Sequence, residues 1–362
     1  MTRARTKKSI GSQMSVASEK PAERRKPVDS SLLLSTGATL LDLACSDSAF
    51  GGFAAGRMVN LIGDSSSGKT FIAMTMLAEA ARCSQFKDYD LIFDDAESAM
   101  SFDQTKLFGA KAAKRIKEPP RGSSHTIEDF KHNMLDLIDE EKPFVYILDS
   151  FDSLTSEAEL ARAKKTQKGG EAGSYGMEKA KGASEMLRII TNGLKDTKSF
   201  LLIISQTREN ISAMSFATKT RAGGKALKFY ATHEIWTAVI RRLKKRERTI
   251  GVQVRAKVSK NKITGKERTV DFPLYYDYGV DDIGSCIDFL VEEKVWKKTS
   301  KTGLGKISAP GIENAGETIG TRQYLIGIVE GNHSEHKLKT LVADAWENIE
   351  DGLKMKRKGR YE

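Results

Sequence analysis

The chain has few cysteines and no long apolar segment. Its 362 residues include three cysteines, Cys45, Cys83 and Cys286, which are too few and too widely spaced for a disulfide framework or a zinc site. This usage favours a reducing compartment. No apolar run approaches the ~20 residues that a membrane-spanning helix needs, and the first residues lack the apolar core of a signal peptide. We therefore expect a cytoplasmic protein that has no membrane partner.

Acidic residues are in the minority. The chain has 59 Lys and Arg against 48 Asp and Glu, a formal net charge of +11, and such an excess favours a polyanionic partner. Basic residues are concentrated in residues 1–28, 241–248 and 354–360. Each cluster alone is typical of a solvated surface or tail, but the three together, beside a nucleotide site, favour a nucleic acid.

The nucleotide site is predicted from the sequence Gly-Asp-Ser-Ser-Ser-Gly-Lys-Thr, which directly follows the apolar run 58–62. It has the G-x-x-x-x-G-K-[ST] pattern of a phosphate-binding loop between a strand and a helix. Glycines let successive N–H groups point at phosphate oxygens, and the helix N-terminus favours an anion. We expect Lys69 to reach the β- and γ-phosphates of ATP. The residues of this loop are Gly63, Asp64, Ser65, Ser66, Ser67, Gly68, Lys69 and Thr70.

Short apolar runs alternate with amphipathic stretches between residues 58 and 206. Runs rich in Ile, Leu, Val and Phe are typical of strands buried on both faces of a parallel sheet, and the stretches between them have helical spacing. This alternation predicts an α/β fold with right-handed crossovers. The predicted strands are Met58–Ile62, Asp90–Asp95, Phe144–Asp149 and Phe200–Gln206, and the predicted helices are Thr70–Cys83, Thr126–Asp139 and Gly176–Leu194.

Beyond Gln206 the sequence pattern changes. An alternation typical of antiparallel strands predicts Glu234–Arg242, Gly251–Lys260 and Thr269–Tyr276 as strands, and a mixed, partly helical sequence follows. We therefore expect three parts. These are a basic, disordered tail over residues 1–30, a core domain over residues 31–286, and a small C-terminal domain with a basic tail over residues 287–362.

Two predicted strands end in acidic residues that suit phosphate chemistry. Asp149 ends an apolar strand, and we expect it to hold Mg²⁺ together with the hydroxyl of Thr70. Glu97 follows the strand that ends at Asp95, and the carboxyl ends of parallel strands share one crevice. Glu97 is thus a candidate for the base that polarises a water for attack on the γ-phosphate. The alternative is an acid at the start of a helix, with Asp95 or Ser98 as its cap.

Gln206 ends the next predicted strand, and its amide is a candidate sensor of the γ-phosphate. The segment from Thr207 to Gly224 is polar and contains several small and basic residues. A long loop inside a compact domain is usually functional or disordered. We expect this loop to bind a polyanion under the control of ATP, with Arg208, Lys219, Arg221, Gly223 and Gly224 among its residues; the alternative is a mobile surface loop.

The order of these motifs along the chain is informative. The phosphate loop, the strings Asp95–Glu97 and Ile147–Ser150, the string Ile204–Arg208 and the string Gly223–Ala231 follow one another along the chain. Together they resemble a RecA-type recombinase, including the phage recombinases of that family, over residues 35–290. The resemblance implies a RecA-like P-loop ATPase core with a mostly parallel central sheet, an antiparallel extension and a small C-terminal domain.

The resemblance also implies roles for single residues. Glu97 is the catalytic carboxylate and Gln206 the switch residue; Lys260 and Lys262 reach the ATP of a neighbouring subunit, and Phe102 and Tyr276 lie near adenine. Residues 156–181 match the first DNA loop of the family and residues 207–224 the second. Lys228 and Phe229 lie where adjacent subunits are coupled. The implied DNA-binding residues of the first loop are Arg162, Lys164 and Lys165.

Two regions differ from the family pattern. The family's bacterial members begin with an apolar helix and strand that dock on the next subunit, whereas residues 1–30 here are basic and mostly polar. The C-terminal 75 residues match no family segment. How the subunits join and what the C-terminal part does are therefore not predicted.

The implied activity is ATP- and Mg²⁺-dependent strand exchange in DNA recombination and repair, by a filament on single-stranded DNA. Double-stranded DNA, single-strand-binding proteins and mediator proteins are the further partners, in the cytoplasm of a bacterial or phage-infected cell. Two alternatives stay open. One is a ring-shaped replicative helicase with an arginine finger in place of the lysine pair, and the other is a regulatory ATPase that binds only protein.

Overall fold

The computed structural model describes residues 32–98, 100, 103–166, 176–209, 219–221, 224–299, 305–312 and 317–357. The tail predicted over residues 1–30 lies outside these residues. No helix in the described part of the chain is both long and apolar enough to span a bilayer.

The elements follow one another along the chain, with a short 3₁₀ turn at Ser84–Phe86 between α2 and β4. They are β1 (Leu33–Leu34), α1 (Thr39–Ser46), β2 (Phe53–Ala54), β3 (Arg57–Gly63), α2 (Lys69–Arg82), β4 (Asp90–Asp95), α3 (Gln104–Phe108), α4 (Ala110–Arg115), β5 (Ile116–Lys117), α5 (Ile127–Asp139), β6 (Phe144–Asp149), α6 (Glu157–Thr166), α7 (Gly176–Thr197), β7 (Phe200–Glu209), β8 (Lys219–Arg221), α8 (Gly224–Tyr230), β9 (His233–Lys245), β10 (Arg248–Asn261), β11 (Arg268–Tyr275), β12 (Gly279–Val280), α9 (Asp282–Glu292), β13 (Lys297–Lys298), β14 (Ile307–Pro310), β15 (Glu317–Gly320), α10 (Arg322–Gly331) and α11 (Glu335–Leu353).

The main sheet has the strand order β12-β11-β10-β9-β3-β7-β6-β4-β5, and β8 pairs with the end of β7. Neighbouring strands from β9 to β5 are parallel, whereas β9 to β12 pair antiparallel. Two smaller antiparallel sheets join β1 to β2 and β13 to β14 and β15. The predicted α/β class with an antiparallel extension is confirmed.

Helices cover both faces of the parallel part of this sheet. On β6, Val145 and Ile147 enter the core that contains α1 and α2, and Tyr146 and Leu148 enter the core that contains α5 and α7. Since successive side chains of a strand point to opposite faces, both sets must be apolar here. This double burial explains why the predicted strands are continuous apolar runs.

The C-terminal part packs on the same core as the phosphate-loop helix. Leu325, Leu338 and Val342 belong to the hydrophobic cluster that includes α2, and α9 runs across residue 286. Arg268 holds α11 on the core, because its guanidinium lies 2.7 Å from Glu350. The division of the chain after residue 286 stays a prediction from the sequence.

Asp42 on α1 is a fully buried carboxyl group at the junction with α11. It accepts hydrogen bonds from the hydroxyl of Ser35 at 2.6 Å and from the backbone N–H of Thr36 at 2.8 Å. Burial raises the pKa of Asp42 to about 7, although the charge of Lys339 opposes the shift. The folded state therefore holds a proton on Asp42 that the unfolded chain releases at lower pH.

We expect Asp42→Asn to change how stability depends on pH. A carboxyl whose pKa rises from 3.8 to about 7 on folding adds stability at low pH, and this contribution falls as the pH rises between these two values. The free energy of unfolding of Asp42→Asn relative to wild type should thus increase over this window, by up to about 1.4 kcal/mol per pH unit, and then level off. Urea unfolding from pH 5 to pH 8 measures it.

Asp88→Asn is the control for the lost formal charge, because Asp88 lies on the surface. Parallel pH profiles for wild type and Asp42→Asn would show that Asp42 does not take up a proton on folding.

Candidate active site

The phosphate loop joins β3 to α2 at the carboxyl edge of the sheet. Gly68 has a φ of 84°, which glycine adopts without steric cost. Gly63 is required for space, because a Cβ atom there would lie 2.3 Å from Thr237 Oγ1 and 2.4 Å from Ser67 Oγ. These two hydroxyls are themselves hydrogen-bonded at 2.9 Å. The side chains of Thr237 and Ser67 thus pack against Gly63 at the start of the loop.

Lys69 is the central cation of the site. Its side chain is buried, with 8% exposed, and its Nζ donates to the carbonyl oxygens of Gly63 at 3.0 Å and Asp64 at 2.8 Å. Burial lowers the pKa of Lys69, and nearby acids oppose the shift. A cation among several acids balances their charge and would also attract a polyphosphate. The opposing acids are Asp149, Glu97, Asp64 and Asp152.

Thr70 and Asp149 form the candidate Mg²⁺ site. The Thr70 hydroxyl donates to Asp149 Oδ2 at 2.6 Å. Burial raises the pKa of Asp149 to about 6, against the effect of the Thr70 hydrogen bond. No group of three or more His, Cys, Asp or Glu side chains suited to a metal occurs in the described part of the chain. One carboxylate and one hydroxyl still fit Mg²⁺, which takes few protein ligands and completes its shell with phosphates and water.

Glu97 lies between the ends of β4, β6 and β7. Its Oε1 accepts from Ser150 Oγ at 2.5 Å and from Gln206 Nε2 at 2.8 Å. Its backbone N–H donates to Asp149 O at 3.1 Å, which fixes Glu97 beside the strand of the metal site. Among the described residues, the next helix is α3, which begins at Gln104. Asp95 Oδ2 accepts from the backbone N–H of Met100, as the capping alternative expects, and Glu97 stays a candidate for the base.

Gln206 is held on two sides where β7 reaches the edge of the sheet. Its backbone N–H donates to Asp152 Oδ2 at 2.6 Å, and its side-chain amide donates to Glu97. The next residue, Thr207, donates its hydroxyl hydrogen to Asp64 Oδ1 of the phosphate loop. The switch candidate therefore has direct contact with the candidate base, and its neighbour has direct contact with the phosphate loop.

Lys260 and Lys262 lie towards the opposite edge of the sheet. Lys260 is paired with Glu234 on β9, and Glu234 is paired with Asn60 on β3. Asn60 precedes Gly63 by three residues, which is about 10 Å along a strand. The strand register thus separates this lysine pair from the phosphate loop of its own chain.

Both lysines bind the C-terminal end of α8. Lys262 Nζ donates to Phe229 O at 3.1 Å, and Lys260 Nζ donates to Phe229 O at 3.3 Å and to Lys228 O. Cations are favourable at a helix C-terminus. Burial, followed by the charge of Lys262, lowers the pKa of Lys260 to about 8. Phe229, beside the pair, is 72% exposed.

Comparison with known proteins identifies the family. Residues 7–281 match the family described as RecA N-terminal domain. The chain belongs to the RecA family. It is 31% identical to Protein RecA of Corynebacterium efficiens over 76% of this chain and 66% of that protein, just under two thirds. It is 32% identical to Protein RecA of Clavibacter michiganensis over 77% of this chain and 71% of that protein. It is 33% identical to Protein RecA of Nitratiruptor sp. over 76% of this chain and 74% of that protein.

The described parts of the two predicted DNA loops of this RecA-family chain lie in helices and strands. The resemblance matches residues 156–181 to a DNA loop, but α6 occupies Glu157–Thr166; α7 begins at Gly176, where the predicted helix Gly176–Leu194 begins. The Ala, Glu, Leu and Lys content of α6 favours a helix. The prediction of a loop from Thr207 to Gly224 is also wrong at its ends. There β7 continues to Glu209, β8 pairs with it, and α8 begins at Gly224.

The predicted DNA-binding residues therefore lie on regular elements. Gly223 lies outside the described residues. Arg162, Lys164 and Lys165 lie on α6, Arg208 on β7, Lys219 and Arg221 on β8, and Gly224 at the start of α8.

The two predicted adenine contacts are placed differently. Tyr276 follows β11 and is exposed. Leu274 of the same strand lies against the phosphate loop, since a Cβ atom on Gly68 would be 3.0 Å from its Cδ1. Tyr276 follows Leu274 by two residues and therefore stays a candidate for the adenine contact. Phe102 lies outside the described residues.

Three site residues were not predicted from the sequence. Ser150 donates to Glu97, Asp152 accepts from the backbone of Gln206, and Thr207 donates to Asp64. Ser150 belongs to the string 147–150 that helped to identify the family, which was the available signal. Thr207 belongs in the same way to the string Ile204–Arg208, whereas Asp152 has no signal in one sequence, because its partner Gln206 is 54 residues away.

We expect Lys69→Ala to lose nucleotide binding. The buried ammonium is the cation among the loop carbonyls, and removing the charged partner of a polyphosphate should weaken affinity about tenfold or more. Titration of a fluorescent ATP analogue with Mg²⁺ measures the affinity. Lys142→Ala, an exposed lysine just before β6, is the matched control. Near-normal affinity in Lys69→Ala would contradict the assignment of the site.

Proposed function

We propose that this RecA-family chain is a DNA-dependent ATPase that promotes homologous strand exchange as a helical filament on single-stranded DNA. The observation that carries the proposal is the double attachment of Gln206. Its side chain binds Glu97 and its backbone binds Asp152, at the point where β7 leaves the phosphate site towards the predicted second DNA loop. A change at the phosphates can therefore reach this loop through a single residue.

The residues at the carboxyl edge have separate roles in nucleotide hydrolysis. When bound, ATP with Mg²⁺ supplies the phosphoanhydride bond that is hydrolysed. Lys69 and the N–H groups of the loop hold phosphate charge, and Thr70 and Asp149 hold the metal. The hydroxyl of Ser150 and the amide of Gln206 both donate to Oε1 of Glu97. We assign to Oε2 of Glu97 the orientation of a water and the acceptance of its proton.

The DNA-binding surface is assigned to the ends of α6, β7 and β8. These elements carry the basic residues predicted from the sequence, and phosphate contacts from such residues position a nucleic acid without reading its bases. Basic residues that contact the backbone suit single-stranded DNA of any sequence. Double-stranded DNA is the second substrate of strand exchange, and single-strand-binding and mediator proteins are the proposed protein partners.

The lysine pair is assigned to the neighbouring subunit's ATP. Lys260 and Lys262 are separated by the strand register from the phosphate loop of their own chain, and they surround the carbonyl of the exposed residue Phe229. Two cations beside an exposed aromatic ring suit an interface that meets phosphates. The nucleotide would then lie between subunits, so that binding and assembly favour each other.

Electron microscopy with single-stranded DNA, ATP and Mg²⁺ tests the proposed function. We expect a helical filament that needs all three components, because the nucleotide completes the interface and DNA orders the subunits. Lys69→Ala is the control that should not assemble. A closed ring would instead indicate a replicative helicase, and neither filament nor ring would indicate a regulatory ATPase that binds protein.

A mixing experiment tests the shared site. We expect Lys260→Ala and Lys262→Ala to lose DNA-stimulated hydrolysis, and Glu97→Gln to slow hydrolysis by about 10²-fold or more because a positioned base is lost. A mixture of Glu97→Gln with either lysine variant should regain partial hydrolysis, measured as phosphate release. The active interfaces would combine Glu97 of one subunit with both lysines of the next.

Lys297→Ala, at an exposed position on β13, is the control for loss of a surface charge. If the two variants assemble together and hydrolysis is not regained, the lysine pair does not act on a neighbouring subunit.

A further inference from the structure

Asp64 and Thr207 form a hydrogen bond at the point where β3 and β7 separate. The two strands are paired in parallel, with Ile62 opposite Ser205 and Gly63 opposite Gln206. Asp64 and Thr207 are the next residues along each strand, beyond the last backbone pair. There the hydroxyl of Thr207 donates to Asp64 Oδ1. A side-chain bond thus continues the connection where the backbone pairing of the two strands ends.

On one side, this bond belongs to the phosphate loop. The carbonyl oxygen of Asp64 accepts from Lys69 Nζ at 2.8 Å and from Ser67 N at 3.2 Å. Any rearrangement of Lys69 within the loop therefore acts on the peptide that carries the Asp64 side chain. The charge of the Asp64 carboxylate also acts on Lys69, because it opposes the lowering of the lysine pKa.

On the other side, the bond belongs to the base of the β7–β8 hairpin. Thr207 is the residue of β7 that pairs with Arg221, and Arg208 and Glu209 pair with Thr220 and Lys219. The residues between these two strands are those of the predicted second DNA loop. Thr207 is thus the first residue of β7 that belongs to the hairpin, and its side chain is attached to the nucleotide site.

The contact of Thr207 is separate from those of Gln206. In the sheet, β7 lies between β3 and β6. Gln206 is bound to Glu97 and Asp152, which follow β4 and β6, whereas Thr207 is bound to Asp64, which follows β3. The two neighbouring residues therefore attach β7 to two different parts of the nucleotide site.

We propose that Thr207 is a positioning residue that couples the phosphate loop to the DNA-binding hairpin through Asp64. The negative charge of bound phosphates would compete with Asp64 for Lys69 and would repel the Asp64 carboxylate. This repulsion would favour the position in which the Asp64 carboxylate accepts from the Thr207 hydroxyl. If the Thr207–Asp64 hydrogen bond is stronger when the phosphate loop holds nucleotide, nucleotide binding shifts the hairpin towards the conformation in which this bond forms. By linkage, nucleotide and DNA then strengthen each other's binding by the same factor. This inference rests on the proposed function.

The test compares Thr207→Val with Thr207→Ser. Valine keeps the β-branched shape that suits a strand but has no hydroxyl, and serine keeps the hydroxyl. The measured quantity is the ratio of the dissociation constants of a fluorescent oligo-dT without and with a non-hydrolysable ATP analogue and Mg²⁺. We expect Thr207→Val to lower this ratio about fivefold or more, since a hydrogen bond to a charged group is lost, and Thr207→Ser to keep it within about twofold.

Asp64→Ala tests the same bond from its other end, and should lower the ratio as Thr207→Val does. In the double variant the two effects should not add, since each change removes the same bond. Asp64→Ala also provides the test if Thr207→Val does not fold, which circular dichroism would show.

The outcomes separate this proposal from the proposed function. A wild-type ratio of one would overturn both, because nucleotide would then not affect DNA binding. A wild-type ratio well above one that Thr207→Val and Asp64→Ala leave unchanged would overturn the positioning role alone. An equal loss in Thr207→Ser and Thr207→Val would also overturn it, because the hydroxyl would not be the cause.

Discussion

The parallel pairing of β3 with β7 is the interaction on which the rest of the site depends. It places Gly63 directly opposite Gln206, so the phosphate loop begins at the level of the candidate switch residue. The pairing is central in the sheet, and its side chains are buried in two cores. The carboxyl ends of these buried strands form the crevice in which ligands of such sheets bind.

The balance of charge around Lys69 follows from this arrangement. Strands that end side by side bring Asp149, Glu97, Asp64 and Asp152 close to one buried ammonium. Burial raises the pKa of Asp149 and lowers that of Lys69, since a charged group loses hydration. The acids favour a divalent cation and the lysine favours phosphates, so Mg²⁺ and ATP suit the site as a pair.

The two edges of the sheet serve different proposed purposes. The carboxyl edge holds the phosphate loop and the connection from Thr207 to the β7–β8 hairpin. Towards the other edge, Lys260 and Lys262 are held by the last carbonyls of α8 beside exposed Phe229. The strand register thus separates the phosphate loop from the lysine pair within one chain.

The sequence alone was enough for the parts of the protein that depend on local patterns. The phosphate loop is contiguous, and β4 and β6 have the bounds predicted from their apolar runs, because strands buried on both faces are rich in apolar residues. Local composition was not enough for the predicted second DNA loop, where pairing of β7 with β8 extends the strand. The contacts of Ser150, Asp152 and Thr207 were decided only by the tertiary structure, because strand register brings together residues that are far apart in the chain.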